Sequence, residues 1–229
     1  MPHNRWMAVD RHHPLLRAMT ALAAMVAAML TIAALGEWVL VPSATVTSLD
    51  EGGVARATSL LAGHPGRHDA AVAWAAASGP WVVHPVVLLV TLVLHARGRV
   101  TARALLVPVI GALGWALGSW CKVLVERPRP AEASVEVGSW SYPSGHSTNI
   151  ALGAVLLLAL LTTVRTAWTR RVGTLLVLAC VALTAADRLV LGVHYPSDVL
   201  AGLALGTAMA LLGLLLLRPL PSPSPSASP

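Results

Sequence analysis

The chain has 229 residues, of which 56% are hydrophobic and 11% charged, where a soluble domain usually carries about 25% charged residues. With a mean hydropathy of +0.71, this composition excludes an ordinary soluble domain and points to an integral membrane protein. Basic residues outnumber acidic ones by 16 to 10, but they fall between apolar runs, so membrane topology explains them and a nucleic-acid partner is not expected.

A helix that spans the hydrocarbon core needs roughly 20 mostly apolar residues. In chain order, six stretches rich in Ala, Leu and Val meet or approach this length: 18–41, 79–96, 104–125, 146–164, 172–190 and 198–217. The expected fold class is therefore an all-α, polytopic membrane protein with six transmembrane helices. The first stretch follows a basic N-terminal segment, 1–17, but its apolar core is longer than the ~7–15 residues of a secretory signal. It reads as a retained helix. The fifth is the weakest, because Asp187 and Arg188 interrupt its end.

The longest connection runs from about 42 to 78. Its second half, "RHDAAVAWAAASG", reads as a helix lying along the outer surface, a connector rather than a lid. The six-helix domain thus covers 18–217, and the Pro/Ser-rich tail 218–229 is expected to be disordered. Cys121 and Cys180 sit in apolar runs with no metal-ligand spacing and read as buried, unpaired thiols.

Orientation follows from Lys and Arg. With the N-terminus in the cytoplasm, the inner segments hold ten of the sixteen basic residues and a single acid, Asp10, while the outer segments hold six basic residues and nine acids. Both termini are therefore expected inside. Trp38, Trp81, Trp120 and Trp140 then lie near the outer interface, where Trp is enriched.

Three polar clusters meet that outer face, at the ends of helices three to six. Lys122 and Arg129 close span three, Ser144 and His146 open span four, and Arg188, His194 and Asp198 lie between spans five and six. A single charged residue at a bilayer edge is ordinary snorkelling. Three cations gathered together repel one another unless an anion sits among them, and phosphate suits Arg forks and a Lys point charge.

In "SYPSGHSTN", Pro143 ends an extended segment, Ser144 is a suitable N-cap, and Gly145 allows close approach to the backbone. A helix starting near His146 turns its unpaired N–H groups toward the site. "HYPSD" repeats the pattern, with Asp198 placed to hold one nitrogen of His194 and leave the other as a nucleophile.

At these residues the chain resembles the type-2 phosphatidic acid phosphatases, or lipid phosphate phosphatases. Three motifs carry the resemblance: "KVLVERPRP" for Lys-x6-Arg-Pro, Pro143 to His146 for Pro-Ser-Gly-His, and "DRLVLGVHYPSD" for Ser-Arg-x5-His-x3-Asp. Asp187 departs from the usual Ser, which puts a negative charge beside Arg188. Arg127 offers a second Arg-Pro step, although the six-residue spacing selects Arg129.

The resemblance implies a phosphatase in which His194 attacks phosphorus to form a phosphohistidine and Asp198 orients it. His146 protonates the leaving alkoxide and then activates water. Lys122, Arg129, Ser144, Gly145 and Arg188 hold the phosphate. The expected substrate is a lipid phosphate or diphosphate at the outer face of a plasma membrane: phosphatidic acid, phosphatidylglycerol phosphate, or a polyprenyl phosphate or diphosphate. No metal or other cofactor is expected, since the cations take that role and no carboxylate cluster suits Mg²⁺. The alternative is phosphotransfer to an alcohol or lipid on the same scaffold. An anion transporter is less favoured, because the polar groups sit at helix ends rather than mid-span.

Overall fold

The computed structural model of the chain describes residues 12–41 and 43–215, and every regular element among them is helical. The expectations for Arg5, Asp10, Arg11, Arg218 and the tail lie outside these residues. In order, the helices are α1 (His12–Leu40), α2 (Ala44–Ser59), α3 (Pro65–Ala77), α4 (Pro80–Ala96), α5 (Leu106–Val125), α6 (Gly145–Leu161), α7 (Ala167–Val190) and α8 (Pro196–Leu215), with one 3-10 turn (Ala102–Leu105) before α5.

Four segments are long and apolar enough to cross a membrane: Ala18–Leu40, Ala102–Val125, Ala167–Val190 and Pro196–Leu215. The pair α3 and α4 passes the same test jointly but bends by 48°. The bend has a local cause. Gly79 is extended (φ −70°, ψ 163°), and Pro80 then starts α4 at its first turn, where its missing N–H costs nothing. α6 has 17 residues, about 26 Å at the α-helical rise, short of a ~30 Å core. Of the six expected spans, four therefore qualify outright and a fifth does as a bent pair.

Much of α6 is buried, and it lies centrally, packed on α4, α5, α7 and above all α8. Gly206 makes the α6–α8 approach possible, since a Cβ there would stand 2.1 Å from the Thr148 carbonyl oxygen. Close backbone approach at small residues is a common way for membrane helices to pack. The core beneath the polar end is apolar, with Leu152, Leu156, Leu205 and Met209 fully buried.

Two expectations change. The first half of the 42–78 connection is also helical: α2 packs on α7 and α8, although "ATVTSLDEGGVARATS" has β-branched residues and a Gly pair that weaken any helical signal. Cys121 is buried, whereas Cys180 is only partly covered, because α7 turns much of its surface outward.

Candidate active site

Three local structures bring the polar clusters to one end of the bundle. α5 stops when Glu126 adopts the left-handed conformation (φ 49°, ψ 33°), its N–H donating to the Lys122 carbonyl. The irregular segment that follows, 126–144, carries Arg127, Arg129 and Ser141, and is tied down by Ser141 N–H to Arg127 O (2.8 Å) and Ser134 N–H to Leu191 O (3.0 Å).

Ser144 caps α6 through its hydroxyl, which accepts from Ser147 N–H at 3.4 Å, and the helix begins at Gly145. At the end of α7, Gly192 takes φ +67°, and a Cβ there would meet the Glu132 carbonyl at 2.5 Å. The chain can therefore turn tightly before His194. Ser144 N–H then donates to Asp198 O at 2.9 Å, which joins the start of α6 to the first turn of α8.

His194 is the centre of the cluster and only 3% exposed. Arg129 Nη1 donates to its Nε2 at 3.2 Å. A guanidinium can only donate, so Nε2 carries the lone pair and the proton sits on Nδ1. Nδ1 faces Asp198 Oδ2 at 3.6 Å and Ser141 Oγ at 3.4 Å. Ser141 Oγ in turn donates to Asp198 Oδ2, and Tyr195 N–H reaches the same oxygen at 2.9 Å. Burial is the largest influence on the imidazole and, with Lys122 and Arg129 nearby, lowers its pKa to about 3 against the pull of Asp198. His194 is thus neutral across the physiological range.

Asp198, fully buried, is held from its other side by Arg127 Nη1 at 2.6 Å. Arg127 Nη2 reaches Asp50 of α2 at 2.7 Å, and Asp50 also accepts from Ser197 N–H (3.0 Å) and Ser197 Oγ (2.6 Å). Burial opposes the charge on Arg127, but Asp198 and Asp50 outweigh it and its pKa rises. The two Arg-Pro steps are therefore separated by geometry: Arg129 stands at His194 Nε2, and Arg127 lies between two carboxylates, Asp198 and Asp50.

Arg129 also donates from Nε to Ser139 O (2.8 Å) and from Nη1 to Val193 O (2.6 Å), while Lys122 Nζ donates to Trp140 O (2.7 Å) and Ser141 O (3.3 Å). Burial, which dominates, and the charge of Arg188 bring the pKa of Arg129 down to about 10 despite Asp198. Arg188 is 4% exposed and pairs with Asp187, while its Nε has no partner among the described residues.

His146 is half-buried, and its Nε2–H donates to the Ala75 carbonyl of α3 at 3.1 Å. Trp74 Nε1 also donates to Thr184 of α7, at 3.2 Å. α3 is therefore more than a connector, because it touches an expected site residue.

A cavity of about 930 Å³ opens beside these groups, with Lys122, Arg129, Gly145, His146 and Asn149 in its wall. Ser144, Arg188, His194 and Asp198 are not part of that wall; Ser144 is fully buried, with its hydroxyl used as the cap. Pro80 and Trp115 also line an apolar groove of about 510 Å³ that runs between α4 and α5 past Leu88 and Leu89.

Sequence reasoning passed over Asp50, Ser141 and Asn149. Ser141 and Asn149 bracket the quoted Pro-Ser-Gly-His stretch, and Asn149 follows His146 by nearly one helical turn, a spacing that offered a signal. Asp50 had none, being an acid in a polar loop whose partners lie 77 and 147 residues away in sequence. Among the described residues no three His, Cys, Asp or Glu side chains gather as a metal-binding group.

The chain is 36% identical over 93 residues to decaprenylphosphoryl-5-phosphoribose phosphatase from two strains of Mycobacterium tuberculosis, CDC 1551 and H37Rv; the match covers 38% of this chain and 46% of each relative. The chain thus spans about half the length of the curated relatives it matches. Its fold matches the crystal structure of a transmembrane PAP2-type phosphatidylglycerolphosphate phosphatase from Bacillus subtilis, with a TM-score of 0.69 at 24% identity, covering 83% of this chain and 94% of the other. The sequence model of the PAP2 superfamily matches residues 102–220, a span that contains all three motifs. The chain belongs to the PAP2 superfamily.

Proposed function

We propose that the protein is a membrane phosphatase that removes a phosphoryl group from a lipid phosphate through a phosphohistidine on His194. The observation that carries this reading is the asymmetric environment of His194, with the Nδ1 proton facing Asp198 and the Nε2 lone pair facing Arg129. A phosphoryl group entering the cavity takes over the Arg129 donors and so frees that lone pair.

In the first step Nε2 attacks phosphorus and the bond to the lipid oxygen breaks. His146, as imidazolium, gives its proton to the leaving alkoxide. Neutral His146 then takes a proton from water as the water oxygen attacks phosphorus; the phosphorus–nitrogen bond breaks and inorganic phosphate leaves. Asp198 stabilises the positive charge that His194 acquires. Lys122 and Arg129, with the Gly145 N–H at the start of α6, face the phosphoryl oxygens as charge moves onto them. Arg188, paired with Asp187, adds little to that charge. These cations take the part that a metal plays elsewhere.

The apolar groove beside the cavity supports a lipid substrate, whose chain stays at bilayer depth while the headgroup enters the polar end. The relatives' names point to lipid-linked phosphates, a phosphorylated decaprenyl-linked ribose in one case. We place six spans in the membrane by counting the bent pair once and adding the short α6, with both termini cytoplasmic and the site on the outer side of the plasma membrane. The exposed Trp38, Trp81 and Trp120 support an interfacial position for this end of the bundle, and the Lys and Arg bias supports its outward orientation.

The test is phosphate release by the purified protein, in detergent with EDTA, from a panel of lipid phosphates, beside His194→Ala. Release that persists in EDTA and is lost in the variant is expected. Release that the variant retains contradicts the reading, and phosphate recovered on added alcohols instead of water identifies a transferase.

A further inference from the structure

Asp187 and Arg188 are adjacent in the last turn of α7, are 5% and 4% exposed, and pair with each other. Carboxylate partners divide the site's cations into two groups. Arg127 is shared by Asp50 and Asp198, and Arg188 is matched by Asp187. Lys122 and Arg129 donate only to carbonyls, a hydroxyl and the His194 ring, so their charges are unmatched by any carboxylate among the described residues.

We propose that Asp187 is a specificity-determining residue, which cancels the charge of Arg188 and so matches the site to a phosphate monoester rather than a diphosphate. This rests on the phosphatase reading above. Lys122 and Arg129 face a monoester that carries two charges above its second pKa, about 6; with Arg127 and Arg188 set against Asp50, Asp198 and Asp187, the group as a whole carries one net positive charge. A lipid diphosphate brings a further charge and a second phosphoryl group. The remaining cation of the site is Arg188, outside the cavity wall, whose Nε is buried without a partner among the described residues and whose forked donors suit phosphate oxygens. With Asp187 in place, that guanidinium is occupied and the surplus negative charge stands near a carboxylate. A neutral side chain at 187 frees Arg188 and raises the net positive charge by one.

Two lipids with the same chain, farnesyl phosphate and farnesyl diphosphate, separate headgroup from tail. At pH 8 in EDTA, kcat/KM of the wild type should favour the monophosphate. Asp187→Ser and the isosteric Asp187→Asn should each move the ratio at least tenfold toward the diphosphate. A wild type that prefers the diphosphate overturns the proposal, as does a ratio that moves less than twofold in variants that elute as the wild type does.

Calorimetry with inorganic phosphate and pyrophosphate reads the same effect without turnover. Asp187→Asn should tighten pyrophosphate binding at least tenfold more than phosphate binding, and equal changes contradict the idea. If no lipid releases phosphate yet the calorimetric shift is present, the phosphatase reading fails and the charge assignment stands.

Discussion

Asp50 shows how far the site extends beyond the residues that face substrate. Its carboxylate holds one side of Arg127, Arg127 holds Asp198, and Asp198 with Ser141 faces the Nδ1 side of His194. Every link is buried, where an ion pair that loses one partner leaves an expensive unmatched charge. Asp50→Asn keeps the shape and removes one charge, so Arg127 draws harder on Asp198 and the His194 ring shifts. A displacement of reacting atoms by about 1 Å costs on the order of 100-fold in rate. The expected result is a kcat loss of about tenfold to 100-fold with KM within about threefold, measured by initial rates. A matched loss in KM alone would assign Asp50 to substrate binding instead. His194, Asp198, His146, Lys122 and Arg129 were legible in the sequence because each belongs to a short motif next to a helix end. Asp50 was not, because nothing local marks an acid whose partners arrive only through tertiary packing.

At the scale of elements, α6 and α8 form the frame that fixes the distance between His146 and the His194–Asp198 pair. The frame depends on Gly206, which leaves no room for a methyl group against the Thr148 carbonyl. Gly206→Ala must push the two helices apart, and overpacking of this kind costs about 1–3 kcal/mol. A lower thermal midpoint in detergent, with a larger proportional loss of kcat than of folded protein, is expected. An unchanged midpoint would mean that the helices slide without cost.

The apolar runs predicted five of the eight helices among the described residues well, since long stretches of Ala, Leu and Val have few alternatives in a membrane. α6 was expected to end three residues later than it does; Thr162 and Thr163 follow its end as a turn. α2 was missed because its polar, Gly-containing sequence becomes helical by packing on α7 and α8 rather than by its own preference. α3 was expected as a helix, but its contact with His146 depends on the fold of the whole chain.

For the whole molecule, the arrangement places all the polar machinery at one end of the helix bundle and leaves the other end with Arg97, Arg99, Arg103, Arg165, Arg170 and Arg171. That asymmetry predicts the orientation. In a Cys180→Ser background, a cysteine at exposed Glu136 should react with an impermeant thiol reagent in intact cells, and one at exposed Arg165 should not. Labelling only at 165 would invert the topology and place the site in the cytoplasm. In the proposed mechanism, orientation, helix packing and the buried charge network all serve a single event, the transfer of a phosphoryl group onto His194 Nε2. The measurement that tests this most directly is a rapid-quench experiment with a lipid carrying labelled phosphate, followed by peptide mapping. An acid-labile, base-stable phosphoryl group on His194, formed fast enough to account for turnover and absent from His194→Ala, is the predicted result. Label on another residue, or turnover without any label on His194, would contradict it.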